Sequence, residues 1–366
     1  MTAGTIAVIG GGVAGLSAAA ALSDLAPVTV LEAEGATGFH ASGRSAAMFL
    51  ADYGNGTVRA LNHASAPYLH EHEGGVLSPR GFLLLARRGA DDVFDAERTD
   101  QGATEIDLRE AADRFPILDP RRIGRAAWRG DIYDLDTDRL MQGFLRRARA
   151  GGARIVTGAQ VQRIARDDGE WQIVWSGGEM RAAALVNAAG AWADRIAALA
   201  GLPPLGLRPY RRSMALLPAP GGRDVADWPF VEAAGGEWYA KPDAGRWLVS
   251  PCDEDAAEPQ DAWADDMVLA EGLDRYAGMV TEPVTRLERS WAGLRTFAPD
   301  RALVIGADPA APGFWWCAGQ GGYGFQTAPA AGRLLADLIG GRAPELGADC
   351  VAALSPARLR QTSAGT

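Results

Sequence analysis

Thr5-Ile6-Ala7-Val8-Ile9-Gly10-Gly11-Gly12-Val13-Ala14-Gly15 is the stretch on which the fold turns. A β-branched run ends in three glycines. Val13–Leu22 follows, rich in alanine and free of proline, and reads as a helix. Pro27 then separates a second apolar run, Val28–Leu31. This is β-α-β in about thirty residues, the size expected of that unit. Gly10 to Gly15 fits G-x-G-x-x-G. Gly10 permits the tight turn, Gly12 lets backbone approach a pyrophosphate, and Gly15 lets helix and strand pack closely. Val13 and Ala14 open the helix, whose N-terminus offers free N–H groups and a positive dipole. Glu32 ends the second strand, where a carboxylate accepts hydrogen bonds from ribose hydroxyls. An acid there disfavours a 2′-phosphate, so FAD or NAD fits better than NADP.

Outward from this unit the pattern is α/β. Phe82–Leu85, Arg154–Thr157, Gln160–Arg166, Trp171–Trp175, Ala184–Ala188, Leu303–Ile305 and Phe314–Ala318 read as strands. Asp138–Ala150 reads as an amphipathic helix capped by Asp138. Residues 205–300 are strand-rich, and the tail after Gly340 reads as loop. Gly319 to Gly324 repeats the glycine pattern before a helix at Gln326–Ile339. No β-branched run follows to make a return strand, so a second nucleotide is not expected. The N-terminus of that helix is instead expected to face the pyrimidine end of a flavin, where its dipole stabilises negative charge.

The chain has 366 residues, a mass of 38.5 kDa, 48% hydrophobic and 22% charged residues, and a net charge of −10. That excludes a disordered chain, a collagen and a coiled coil, and the length suggests two or three folding units. The acidic balance argues against nucleic acid as a partner. Of the 36 basic residues only Lys241 is a lysine. Cys252, Cys317 and Cys350 have no metal spacing, so neither a disulfide framework nor a metal site is expected. No secretory signal and no membrane span are read, and a cytoplasmic location is expected.

Several longer stretches are collinear with a known family. They include Gly38-Phe39-His40-Ala41-Ser42-Gly43-Arg44-Ser45-Ala46-Ala47, Leu77-Ser78-Pro79-Arg80 and Val186-Asn187-Ala188-Ala189-Gly190-Ala191-Trp192. Arg211-Arg212-Ser213, Tyr239-Ala240-Lys241-Pro242-Asp243, Trp291-Ala292-Gly293-Leu294-Arg295 and Gln320-Gly321-Gly322-Tyr323-Gly324 extend the match. The chain resembles the FAD-dependent D-amino-acid oxidoreductase superfamily, and within it the bacterial D-arginine dehydrogenases. The resemblance implies non-covalent FAD in a discontinuous Rossmann-like domain (residues 1–80, 135–204 and 298–366). It also implies an inserted β-sheet-rich substrate domain (residues 81–134 and 205–297). FAD contacts are implied at Gly10, Gly12, Val13, Ala14, Gly15, Glu32, Gly43, Arg44, Ser45, Ala46, Val161, Ala189, Gly190 and Trp192. Gly321, Gly322, Tyr323, Gly324, Gln326 and Thr327 are implied to complete them.

The implied activity is oxidative deamination of an α-amino acid, D-configured, by hydride transfer from Cα to flavin N5, giving a 2-oxo acid and ammonia. Arg212 and Arg295 are implied to hold the carboxylate, a task suited to a bidentate guanidinium. Tyr53 and Tyr239 orient it and close the site, and the Gly322 carbonyl accepts from the amine. Where D-arginine dehydrogenase has a histidine, a threonine and a glutamate, this chain has Met48, Leu50 and Phe82. A neutral, apolar substrate side chain is therefore expected, with arginine and lysine disfavoured. A dehydrogenase is favoured over an oxidase, with the electron acceptor open. Two alternatives stand beside this reading: a flavin oxidoreductase for an N-alkyl or cyclic amino acid or a 2-hydroxy acid, and a non-catalytic flavin-binding scaffold.

Overall fold

The computed structural model describes residues 4–360. Strand β1 (Ile6–Ile9) is buried throughout and leads into helix α1 (Val13–Leu22) and strand β2 (Val28–Leu31). β1 and β2 pair in parallel, Ile6 beside Val28. Gly10 has φ +107°, and a Cβ on Gly15 would stand 1.9 Å from the Gly10 oxygen. The helix can leave the strand at this angle only because both positions are glycine. Among the residues of α1, only Ala21 escapes burial. Such a helix is apolar all round because it is covered on every side.

A six-stranded sheet carries this unit. Its order is Val304–Ala307, Phe314–Ala318, Ala184–Asn187, β1, β2 and Arg154–Val156, parallel except for the hairpin formed by the first two. The remaining elements that build the site follow in chain order. They are α2 (Gly56–Glu71), β3 (Phe82–Arg87), α3 (Asp91–Asp100), β4 (Arg208–Leu217), β5 (Phe230–Ala233), β6 (Tyr239–Asp243), β7 (Arg246–Ser250), β8 (Arg289–Phe297) and α4 (Gly324–Gly340). In a second sheet, of nine strands, β4, β7, β6, β5 and β3 are successive neighbours, and β8 pairs with β4. Alternation divides its side chains. Leu83, Val231, Ala240, Trp247, Val249 and Ala215 pack into one core. Phe82, Phe230, Glu232, Tyr239, Arg212 and Arg295 take the other face, toward a cavity between the two large sheets. A small sheet of Met48–Phe49, Tyr133–Leu135 and Leu77–Pro79 closes one side.

Three expectations change. The helix near residue 138 spans Thr137–Ala150, and Asp136 caps it, accepting from the Arg139 N–H at 2.9 Å. Helix α4 begins two residues earlier than expected, at Gly324. The tail is not all loop: Ala348–Leu354 and Ala357–Arg360 are helical, and Leu354 is fully buried in the core beside α4. No strand follows α4 among the described residues.

Candidate active site

One cavity of about 780 Å³ runs from the β1–α1 turn to the face of the nine-stranded sheet. Its first end is lined by Gly10, Gly12, Val13, Ala14 and Glu32, with Val161, Ala189, Gly190 and Trp192 opposite. Ser42, from the segment after β2, accepts from the Val13 N–H at 3.0 Å. The Glu32 carboxylate accepts from the Gly11 N–H at 2.6 Å and the Glu34 N–H at 2.9 Å. It therefore braces the glycine turn as well as facing the cavity. A Cβ at Gly10 would fall 2.4 Å from the Ala188 oxygen, and one at Gly12 would fall 3.1 Å from Ser42 Oγ. The cradle is bare backbone held open by its neighbours, as a pyrophosphate requires.

Several residues expected at the cofactor hold the structure from behind. Gly15, Gly43, Tyr323 and Thr327 are not in the lining. Gly15 is pressed on Gly10, and a Cβ on Gly43 would lie 2.5 Å from the Gly38 oxygen. The Tyr323 ring packs between Tyr53 and Phe297. Thr327 donates its hydroxyl to the Tyr323 carbonyl at 2.8 Å. Arg44 touches the cavity, but its guanidinium binds the Asp261 carboxylate and the carbonyls of Ala262 and Ala292. Ser45, Ala46, Gly321, Gly322, Gly324 and Gln326 do line it, so the first turn of α4 opens on the cavity as expected.

The second end is built across strands. β4 and β8 run antiparallel, with Arg212 opposite Gly293 and Tyr210 opposite Arg295. Arg212 and Arg295 are thus diagonal neighbours on one face. Arg212 is 9% exposed, and its Nε donates to the Asp253 carbonyl at 2.8 Å. Its nearest carboxylate, Glu254, is 3.9 Å away and bound to Arg301 at 2.7 Å. Arg295 has no ion pair or hydrogen bond among the described residues. Gly322 lies beside it: a Cβ there would be 3.3 Å from Arg295 Nη1. Arg212 has one long ion pair, to a Glu254 already engaged by Arg301, and Arg295 has none, so two under-compensated cations facing one cavity make an anion site. Tyr239 is buried on β6 and donates its hydroxyl to Met214 Sδ at 3.4 Å. Tyr53 leaves 41% of its surface open and lines the cavity.

Met48, Leu50 and Phe82 also line this end, with Phe230 and Ile132. The expectation of a wall without an acid needs correction, because Glu232 and Gln101 line the same cavity. Glu232 stands directly across from Tyr239 on β5 and beside Leu84 of β3. Burial, and next the Glu97 carboxylate, push its carboxyl up to about 7, while a hydrogen bond from Gln101 and the charges of Arg212 and Arg295 pull it down. Phe230-Val231-Glu232-Ala233 held the signal: one acid two residues from an aromatic, on the same side of an otherwise apolar strand.

The sequence profile of the DAO family, FAD dependent oxidoreductase, matches residues 5–338. The chain belongs to this family. Its cofactor is FAD, and the bare cradle and long cavity fit that group. Among curated relatives, the tRNA 5-methylaminomethyl-2-thiouridine biosynthesis bifunctional protein MnmC of Thiobacillus denitrificans is 30% identical over 96% of this chain and 59% of its own length. The homonymous protein of Caulobacter sp. is 29% identical over 91% and 54%. The chain thus spans little more than half the length of these two relatives. Glycine oxidase of Geobacillus kaustophilus is 26% identical over 91% of this chain and 92% of its own. The crystal structure of L-proline dehydrogenase from P. horikoshii superposes with a TM-score of 0.83 at 23% identity, covering 98% of both chains, and shares the fold. No described helix is long and apolar enough to cross a membrane.

Proposed function

We propose that this family member oxidatively deaminates an α-amino acid, D-configured as the likeness to D-arginine dehydrogenase implies, to a 2-oxo acid and ammonia. The observation that carries the reading is the pair Arg212 and Arg295 facing one cavity, Arg212 with only a 3.9 Å contact to a Glu254 that Arg301 holds at 2.7 Å, and Arg295 with no ion pair among the described residues. Residues 1–80, 135–204 and 298–366 hold FAD in this reading, and residues 81–134 and 205–297 present the substrate. The relatives include proteins named for glycine and for D-amino acids, which supports amino-compound donors.

The two guanidiniums grip the substrate carboxylate, and their position on paired strands fixes its angle. Asp253 holds Arg212 through its backbone oxygen. Tyr239 and Tyr53 turn their hydroxyls to the bound acid, and Tyr53 covers it from the loop before α2. The Gly322 carbonyl, beside Arg295, takes the substrate amine. The amine enters neutral, its proton lost to water, since no histidine lines this end of the cavity. FAD, when bound, supplies the acceptor for the hydride leaving Cα.

Anaerobic bleaching of the flavin absorbance by a panel of D- and L-amino acids, sarcosine, proline and 2-hydroxy acids tests the reading. D-amino acids should bleach it fastest, and Arg212→Met should lower kcat/KM by roughly 100-fold or more. Bleaching by 2-hydroxy acids alone, or by nothing in the panel, refutes it.

FAD is held without a covalent bond. Cys317 lies outside the lining, and burial pushes both its thiol and that of cavity-facing Cys252 up to about 12, far from the thiolate that linkage needs. Acid precipitation should leave all flavin in the supernatant.

A further inference from the structure

We propose that Arg301 is a positioning residue for the carboxylate clamp: it holds the Glu254 carboxylate back from Arg212 and so keeps that guanidinium open to the substrate. The inference rests on the amino-acid reading above and adds a residue to it. Glu254 is shared by two guanidiniums. Arg212, buried on β4, is fixed at Nε by the Asp253 carbonyl at 2.8 Å. Glu254 is the next residue of that loop, and its Oε2 lies 3.9 Å from Arg212 Nη2. Arg301, in the turn after β8, donates to the same carboxylate twice, Nη1 to Oε1 at 2.7 Å and Nη2 to Oε2 at 3.0 Å. Neither Glu254 nor Arg301 lines the cavity, so both act from behind its wall.

Arg301 is itself held in place. Its guanidinium lies over the Phe297 ring, 3.8 Å from the centroid. Its N–H donates to the Ala298 carbonyl at 2.9 Å, and its carbonyl accepts from Asn55 Nδ2 at 3.3 Å. The planar fork takes both oxygens of Glu254 and leaves neither for Arg212 at bonding distance. Hydrogen bonds from Arg301, with smaller pulls from the charges of Arg212 and Arg295, hold the Glu254 carboxyl below its usual range, so it stays ionised. A charged carboxylate at this distance needs to move only about 1 Å to make a close ion pair with Arg212. The Arg212 side chain is 10% exposed and that of Arg301 45%. Released from Arg301, Glu254 would settle on the cation that water reaches least, and a substrate carboxylate would have to displace it.

The test is a double-mutant cycle on the FAD-loaded protein, read in two ways. Calorimetric titration with propionate, a carboxylate with no amine to oxidise, gives Kd. Steady-state turnover of the best donor in the bleaching panel gives KM and kcat. Arg301→Met should raise propionate Kd and substrate KM by roughly 10-fold. It should leave kcat within about twofold, because a bound carboxylate has already displaced Glu254. Arg301→Lys, which keeps a cation against Glu254, should recover most of the loss. Glu254→Gln alone should tighten propionate binding, and adding Arg301→Met to it should change Kd by less than about twofold. Flavin content and visible spectrum confirm that each variant is folded. Glu254→Gln weakening propionate as Arg301→Met does would make the pair a structural brace and overturn the inference. No loss in Arg301→Met, or a loss that persists in the double variant, also overturns it, and all three outcomes leave the amino-acid reading in place. If wild type binds no propionate and no amino acid reduces its flavin, the reading itself fails and the inference falls with it.

Discussion

Glu232 is a carboxyl held well above its ordinary value of 4.5, at about 7, chiefly by burial. The folded protein therefore binds this proton more tightly than the unfolded chain. Stability from this group is present below pH 4.5, declines as pH rises toward 7 and is flat above. The loss is on the order of 3 kcal/mol. Thermal melts from pH 5 to pH 8 should show the wild type losing more than Glu232→Gln across that window. Parallel curves for the two proteins would disprove it. At this scale the sequence showed some residues and hid others. Arg212, Arg295 and Tyr239 stood in recognisable stretches. Glu232 did not, because its inward position depends on strand pairings with β6 and β3, and β3 lies well over a hundred residues away along the chain.

Among the elements, α2 does more than cover the core. Asn62, fully buried on it, donates its amide to the carbonyls of Leu50, Ala51 and Tyr53 at 3.4, 3.3 and 3.0 Å. These are the residues of the loop that puts Tyr53 over the cavity. Asp52 in the same loop is bound by Arg129 at 2.8 Å and His63 at 3.0 Å. The loop is thus anchored from α2 and from the strand Ile123–Arg129. Asn62→Ala leaves three carbonyls with one anchor fewer and should cost about 1–3 kcal/mol of stability. It should also raise KM for the substrate more than it lowers kcat if Tyr53 closes the site without reacting, as in the proposed function. Equal KM in variant and wild type would show that Asp52 alone holds the loop. The β-α-β unit and the strand Phe314–Ala318 were legible because their signals are local: periodicity, glycine and proline. The Asn62 clamp and the C-terminal helices were not, because both are decided by what packs against them.

Across the whole molecule, the two large sheets meet at the cavity, and the single lysine sits in the seam. Lys241, on β6, is ion-paired with Asp134 and donates to the Ala46 carbonyl at 3.0 Å. Ala46 lines the cavity at the cofactor segment, and Asp134 belongs to the small sheet. Asp134 is gripped again by Arg80, at 2.6 Å from Nε, and Arg80 also reaches the Trp228 carbonyl at 2.9 Å. The network ties the cofactor segment, the small sheet and the nine-stranded sheet together. Tyr239 and Lys241 share a strand face, as their spacing predicts, yet only Tyr239 lines the cavity. A free ammonium near a reduced flavin would favour electron transfer to oxygen by stabilising the negative charge that forms. Here the charge is offset by Asp134 and turned to backbone. Reduced enzyme mixed with aerated buffer should therefore reoxidise slowly, as a dehydrogenase does. Lys241→Met should leave that rate within about twofold while lowering the melting temperature, because it strips Asp134 of one of two cations and frees the Ala46 carbonyl. Fast reoxidation in the wild type that collapses in Lys241→Met would reverse the assignment and make this lysine the oxygen-activating group of an oxidase.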